Sequence, residues 1–317
     1  MRFTEFSGEW KEELLDRIAT LSKGIGIPKE QLSEDGDPCI LYGELYTKYK
    51  SEIIKQVESK TDIDGSKLKR SKANDVIIPC SGETAVDIAT ARCVPFDSIL
   101  LGGDLNVISL HKYDGAFMSY QLNGKRKYDI ARVAQGVSVV HLYGEHLKTI
   151  KTYNPTLPEQ QKIAILLSLL DERIATQNKI IEDLKKLKCA IIEKLYSKIQ
   201  GKEYSYGQLF DVVNERNKQM EYSYILSASQ EKGMVNRDDL NLDIQFERSN
   251  INTYKIVRKG DYVIHLRSFQ GGFAFSDKLG VCSPAYTILR PNSLLEYSYL
   301  SYYFTSRRFI KSLIIVT

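Results

Sequence analysis

Thr156-Leu157-Pro158-Glu159, continued without a break from Gln160 to Tyr196, is the stretch whose reading decides the architecture. A threonine followed three positions later by a glutamate, with a proline in the first turn, is a helix start. The hydroxyl can accept from a free N–H while the carboxylate reaches back to the threonine's own N–H. Stepping by fours and threes from Ile163 gives Ile163, Leu167, Leu170, Ile174, Gln177, Ile181, Leu184, Lys188, Ile191 and Leu195, all but two of them apolar. No glycine or proline interrupts residues 159–200. The spacing predicts one helix of about 40 residues, roughly 60 Å long at 1.5 Å per residue. A repeat of this kind over several heptads is a coiled-coil seam that asks for a partner helix, and its polar members Gln177 and Lys188 would fix register. A long amphipathic helix packed on its own domain is the alternative.

Outward from the helix, short apolar runs are separated by glycine, proline and asparagine: Asp75 to Pro79, Ser98 to Leu101, Val137 to Leu142 and Tyr262 to Leu266. These read as strands and turns. The expected organisation is therefore a mixed α/β (α+β) globule at 1–155, the helix at 156–200 and a second globule at 201–317. The flanks echo each other. Leu14-Leu15-Asp16-Arg17-Ile18 resembles Leu209-Phe210-Asp211-Val212-Val213, and Asn74-Asp75-Val76-Ile77-Ile78 resembles Gly260-Asp261-Tyr262-Val263-Ile264, as in a duplicated unit. Far fewer residues follow Asp261 than separate Asp75 from the helix, and the sequence closes on Ser312-Leu313-Ile314-Ile315-Val316-Thr317. The second globule is expected to be incomplete, with no second long helix.

Composition excludes several classes. With 317 residues, 43% of them hydrophobic and 26% charged, the chain should fold, and around more than one core. Its longest nearly unbroken apolar run, Ile163 to Leu170, is too short to span a bilayer, which takes roughly 18 to 20 residues. The glutamate-rich start MRFTEFSGEWKEELL is no secretory signal, so the cytoplasm is the expected compartment. Five cysteines, none in a Cys-x-x-Cys pair, and His141 and His146 spaced off one helical face argue against a disulfide framework or a metal site. There is no phosphate loop and no dinucleotide fingerprint. Asn154-Pro155-Thr156-Leu157 lacks the second proline and the aromatic of an amino-methylating loop, and Asp211 with Glu215 reads as a solvated helical face rather than a Mg²⁺ site. No catalytic residue and no metal ligand is expected.

What remains is polar surface suited to binding. The net charge of +4 is modest and spread out, so a polyanion site has to be a local patch. Lys48, Tyr49 and Lys50, with Tyr42 and Tyr46 before them, interleave cations with tyrosine and could grip phosphates. Lys125, Arg126 and Lys127 form another basic cluster, beside weaker ones at Lys67 to Lys72 and Arg307 to Lys311. Ser81, Gly82, Glu83 and Thr84 make a short, flexible polar run after the first strand. The corresponding run in the second globule is Arg267, Ser268, Phe269 and Gln270, followed by Gly271 and Gly272. Arginine and glutamine make bidentate contacts to guanine and adenine edges, and glycines let a backbone come close. A solvated edge or a glycine hairpin fits the same residues.

Pro155-Thr156-Leu157-Pro158-Glu159-Gln160-Gln161-Lys162-Ile163-Ala164, then Leu169-Leu170-Asp171-Glu172-Arg173-Ile174 and the lysine-rich continuation to Lys194-Leu195-Tyr196, resemble the start of the long helix in type I restriction-modification specificity subunits. The first globule resembles one class of target recognition domain through Ser81 to Thr84, Gly102-Gly103-Asp104-Leu105-Asn106 and the run from Gly136 to Tyr143. The second resembles another class through Leu266 to Gly272 and Ser283-Pro284-Ala285-Tyr286. The resemblance implies two domains that each read half of a bipartite site in double-stranded DNA, held apart by the helix from Glu159 to Tyr196. It implies no chemistry in this chain. S-adenosylmethionine, ATP and Mg²⁺ would sit on partner methyltransferase (M) and restriction (R) subunits, the former docking partly on the helix. Full-length family members finish the second domain and run a second, antiparallel helix, which is missing here. The expectation is a truncated subunit, or a half-unit that self-dimerises through Ile163, Leu167, Leu170, Ile174, Ile181, Leu184, Ile191 and Leu195. A non-catalytic coiled-coil adapter or a regulatory remnant is the alternative.

Overall fold

Val76, Ile77 and Ile78 are all fully buried, and that burial explains why Asp75–Pro79 reads as a continuous β-branched run rather than an alternating one. Both faces of its sheet are covered. In the computed structural model, which describes residues 2–229, 232–239, 248–265 and 273–314, the chain divides into two compact units, Met1–Gln177 and Asn178–Thr317. The division falls inside the long helix rather than at its ends.

The first unit is built on four antiparallel strands, β1 (Ala19–Lys23), β2 (Asp75–Pro79), β3 (Arg92–Val94) and β4 (Leu105–Leu110), in the order β1-β4-β2-β3. Side chains alternate across the strands. Val76, Ile78 and Ile108 therefore face one core with Met118, Leu122 and Ile130 from the helices Gly115–Asn123 and Lys127–Val133. Ile77, Leu105 and Val107 face a second core with Ile40, Leu45, Tyr49 and Ile54. Of the expected strand Ser98 to Leu101 only Leu100–Leu101 pairs, parallel to Asp37–Ile40.

The second unit repeats this plan. Strands β5 (Phe210–Val213), β6 (Tyr262–Ile264), β7 (Ala274–Phe275) and β8 (Thr287–Pro291) run in the order β5-β8-β6-β7, so each strand of the first sheet has a counterpart. The turn into the second strand of each sheet is also repeated. Asp75 Oδ2 accepts from the Lys72 N–H and Asp261 Oδ2 from the Arg258 N–H, each at 2.8 Å. The residue before each aspartate, Asn74 (φ 80°) or Gly260 (φ 95°), sits in the left-handed region that asparagine and glycine tolerate best.

The other echo is out of register. Ile108 lies opposite both Leu21 and Val76, while Leu289 lies opposite both Val212 and Tyr262. The ladders thus match Val212 to Leu21, and Asp211 takes the place of Thr20, not of Asp16. Leu15–Ile18 is a helical turn preceding β1, and its counterpart is the turn Tyr206–Leu209. Asp211 is accordingly on a strand. Glu215, read with it as one helical face, instead accepts from Arg258 Nη2 at 2.9 Å.

The long helix spans Leu157–Ser197, 41 residues, close to the bounds read from the sequence. The helix Arg307–Ile314 buries Phe309 against Phe210, Tyr262 and Phe304. Among the described residues no helix is long and apolar enough to cross a membrane, and no group of three or more His, Cys, Asp or Glu side chains is placed to hold a metal ion.

Candidate nucleic-acid interface

The start of the long helix is fastened to the first unit by its own motif residues. Glu159, fully buried, accepts from Arg2 Nε and Nη2, both at 2.7 Å, and from the Trp10 indole at 3.3 Å. The reciprocal capping box expected with Thr156 gives way to this clasp, because a buried carboxylate gains more from a guanidinium than from one amide. The Arg2 hydrogen bonds hold the Glu159 carboxyl below the usual carboxylate range. Gln160, also buried, accepts from the Asp114 N–H at 2.9 Å and donates to the Pro155 carbonyl at 2.8 Å. Further along, Tyr120 donates to Asp171 Oδ2 at 2.6 Å.

Gln160, Ala164, Ser168 and Asp171 form the row of the helix turned toward its own unit. The heptad seam points elsewhere. Ile163 and Leu167 are half-buried, while Leu170, Ile174, Ile181, Leu184, Ile191 and Leu195 are exposed. The helix thus keeps one face for packing and leaves an apolar stripe free along most of its length.

The Ser81–Thr84 run is more ordered than its composition suggests. Ser81–Gly82 is a short strand paired with Val140–His141, and the Tyr46 hydroxyl donates to the Ser81 carbonyl at 2.9 Å. Thr84 caps the turn Ala85–Ile88 by accepting from the Asp87 N–H at 3.1 Å. Glu83 is exposed. Val137 to Leu142, expected as one strand, pairs only at Val140–His141, and the residues before it form a loop closed by mutual hydrogen bonds between Gln135 and His141. On the same ribbon His141 stacks on Tyr143 with ring centroids 6.2 Å apart, and Lys23 Nζ lies 5.6 Å from the Tyr143 ring. The loop valines, His141, Tyr143 and Lys23 are surface residues that sequence reasoning passed over. Gly136, a glycine with positive φ immediately before the apparent strand, is the signal that could have found them.

Two expected phosphate contacts are corrected. Tyr49 is only 6% exposed and its hydroxyl accepts from the Glu58 N–H, so it belongs to the core. Arg126 is paired with Asp129 at 3.0 Å and lies 5.2 Å from the Tyr153 ring, which makes it a cross-link within the unit. Lys48 bridges to Glu44 at 2.8 Å and to Ser59 at 2.7 Å, and the hydrogen bond to Glu44 raises its pKa. Lys50 and Lys125 remain exposed, with Lys127 half-buried. Arg267, Ser268, Phe269 and Gln270 lie outside the described residues.

Burial pushes the thiols of Cys39 and Cys80 up to about 11 and those of Cys93 and Cys282 to about 12, the opposite of what an activated nucleophile needs.

Residues 8–186, more than half of the chain, match the family described as type I restriction modification DNA specificity domain. The chain belongs to that family. Over 145 residues the chain is 29% identical to the type I restriction enzyme MjaVIII specificity subunit of Methanocaldococcus jannaschii, across 45% of the chain and 33% of that relative. The match therefore spans about a third of the relative's length. Among solved structures, the type I restriction-modification S subunit from M. genitalium superposes with a TM-score of 0.58 at 17% identity, covering all of this chain and 82% of that one. A chain from a type I restriction-modification system solved for its complex assembly and conformational transition gives 0.55 at 13% identity, with coverage of 98% and 82%. At these identities the two structures establish a shared fold for this specificity-family chain.

Proposed function

We propose that this chain is the non-catalytic, sequence-reading subunit of a type I restriction-modification complex. It binds double-stranded DNA and directs adenine methylation and restriction by partner M and R subunits to a bipartite site. The single observation that carries the reading is the specificity-domain match over residues 8–186, supported by a second unit built on the same strand order as the first. S-adenosylmethionine, ATP and Mg²⁺ belong to the partners, and the complex acts in the cytoplasm on the cell's own and incoming DNA.

The exposed seam from Leu170 to Leu195 supports a helical partner, either on an M subunit or in a second copy of this chain. The test is co-purification of the chain with an M subunit from its own cells, followed by mapping of methyladenine with and without the gene. A bipartite methylated motif lost on deletion is expected. An unchanged methylation map would sink the proposal.

A further inference from the structure

The loop before the Val140–His141 strand carries an arrangement that packing within the unit leaves unexplained. Gln135 and His141 exchange backbone hydrogen bonds at 2.9 and 2.7 Å, which pins both ends of the five-residue loop they enclose. Gly136 makes the loop possible: its φ is +123°, and a Cβ there would lie 2.1 Å from the Val139 carbonyl oxygen. The consequence is a fixed tip with Val137 at 97% and Val139 at 53% exposure. Two β-branched apolar side chains held in water on a pinned loop cost the isolated fold and favour a partner.

The neighbouring groove, about 630 Å³, runs between this tip and the segment Tyr42 to Thr47, and Glu83 and Asp87 line it with no lysine or arginine. A groove of that charge repels phosphates. It can approach DNA only where a base edge offers a donor. Asp87 is already engaged, accepting from the Thr84 hydroxyl at 2.6 Å, whereas Glu83 is exposed at the end of its strand. A two-stranded β-ribbon fits the major groove, where carboxylates accept from cytosine N4 and apolar side chains lie against the thymine methyl. Lys23, at the end of β1 and over the Tyr143 ring just past the ribbon, supplies a cation for the flanking phosphates.

We infer that the ribbon of Ser81–Gly82 and Val140–His141 enters the DNA major groove, with Glu83 reading a cytosine amino group and Val137 contacting a neighbouring thymine methyl. This rests on the DNA-reading function proposed above and names its specificity-determining residues.

The test uses the full chain, purified from its own cells with whatever subunits accompany it, and a random duplex library from which bound sequences are selected. Wild type should enrich one motif. Glu83→Gln should move one position from cytosine toward adenine, with about a tenfold change in preference, because glutamine pairs with adenine N6 and N7. Val137→Ala should weaken the preference for thymine beside it. Both side chains are exposed, so both variants should melt as wild type does. An unaltered motif in both variants overturns the inference while leaving the DNA-reading function standing, and so does uniform weakening on all duplexes. Absence of any wild-type motif overturns the function itself, and the inference with it.

Discussion

The sheet β1-β4-β2-β3 is filled with aliphatic side chains under two helices, whereas one face of β5-β8-β6-β7 carries an aromatic cluster of Phe210, Tyr262, Phe304 and Phe309. The same contrast recurs where each unit meets the long helix. The first holds it by the buried polar groups of Glu159 and Gln160, the second by Tyr196 against Tyr299 and Tyr303, with ring centroids 6.0 and 5.2 Å apart. Strand order and the aspartate turn are alike in both. Backbone hydrogen bonding therefore defines the common scaffold, and the filling is free to differ as long as volume is conserved.

The largest effect should come from the aromatic side. Phe304→Ala removes the ring at the centre of that cluster and should cost about 3 to 5 kcal/mol, read by denaturant unfolding, with hydrogen exchange in β6 locating the loss. Next, the paired aspartates should separate. Asp261 also binds Arg290 through both carboxylate oxygens at 2.9 Å, so Asp261→Ala leaves that guanidinium only its longer contact with Glu215, at 3.5 Å, and should cost about 2 to 3 kcal/mol. Asp75→Ala forfeits the Lys72 N–H bond and should cost about 1 to 2 kcal/mol. Equal losses would break the comparison.

A smaller effect is expected at the helix clasp as acid is added. The folded pKa of Glu159 is depressed, so its contribution is fully present above the unfolded value of about 4.3 and is lost as pH falls through the lower folded value. Trp10, the one tryptophan of the chain, donates to that carboxylate, so its fluorescence should report the transition, and Glu159→Gln should abolish it. Smallest for the fold itself is Leu184→Lys on the exposed seam, within about 0.5 kcal/mol. Wild type should self-associate by light scattering and the variant should not. A monodisperse wild-type monomer would remove the seam as a self-contact.

The long helix was legible because nothing between Glu159 and Ser197 breaks it and its apolar period is sustained. The repeated turn at Asp75 and Asp261 was legible as well, since a polar residue followed by β-branched ones is a local signal. The first echo misled, because Leu-Leu-Asp-Arg-Ile and Leu-Phe-Asp-Val-Val share a pattern of apolar residues while one is mostly helix and the other mostly strand. Register is fixed by cross-strand pairing, which no single segment contains. At the candidate interface, sequence composition grouped Lys48, Tyr49 and Lys50 as one cationic stretch, yet the backbone turns the tyrosine inward and ties Lys48 to Glu44.

By itself, then, the sequence determined the long helix with its apolar stripe and the family, because periodicity and motif spacing are properties of adjacent positions. Only the tertiary structure decided which face of the helix is used, that Glu159 clasps Arg2 and Trp10, that Arg126 is a cross-link, and that Val137 stands in solvent while Val139 lines a groove with Glu83. Each of these depends on residues far apart in sequence meeting or failing to meet, and burial and pairing are properties of the packed molecule alone.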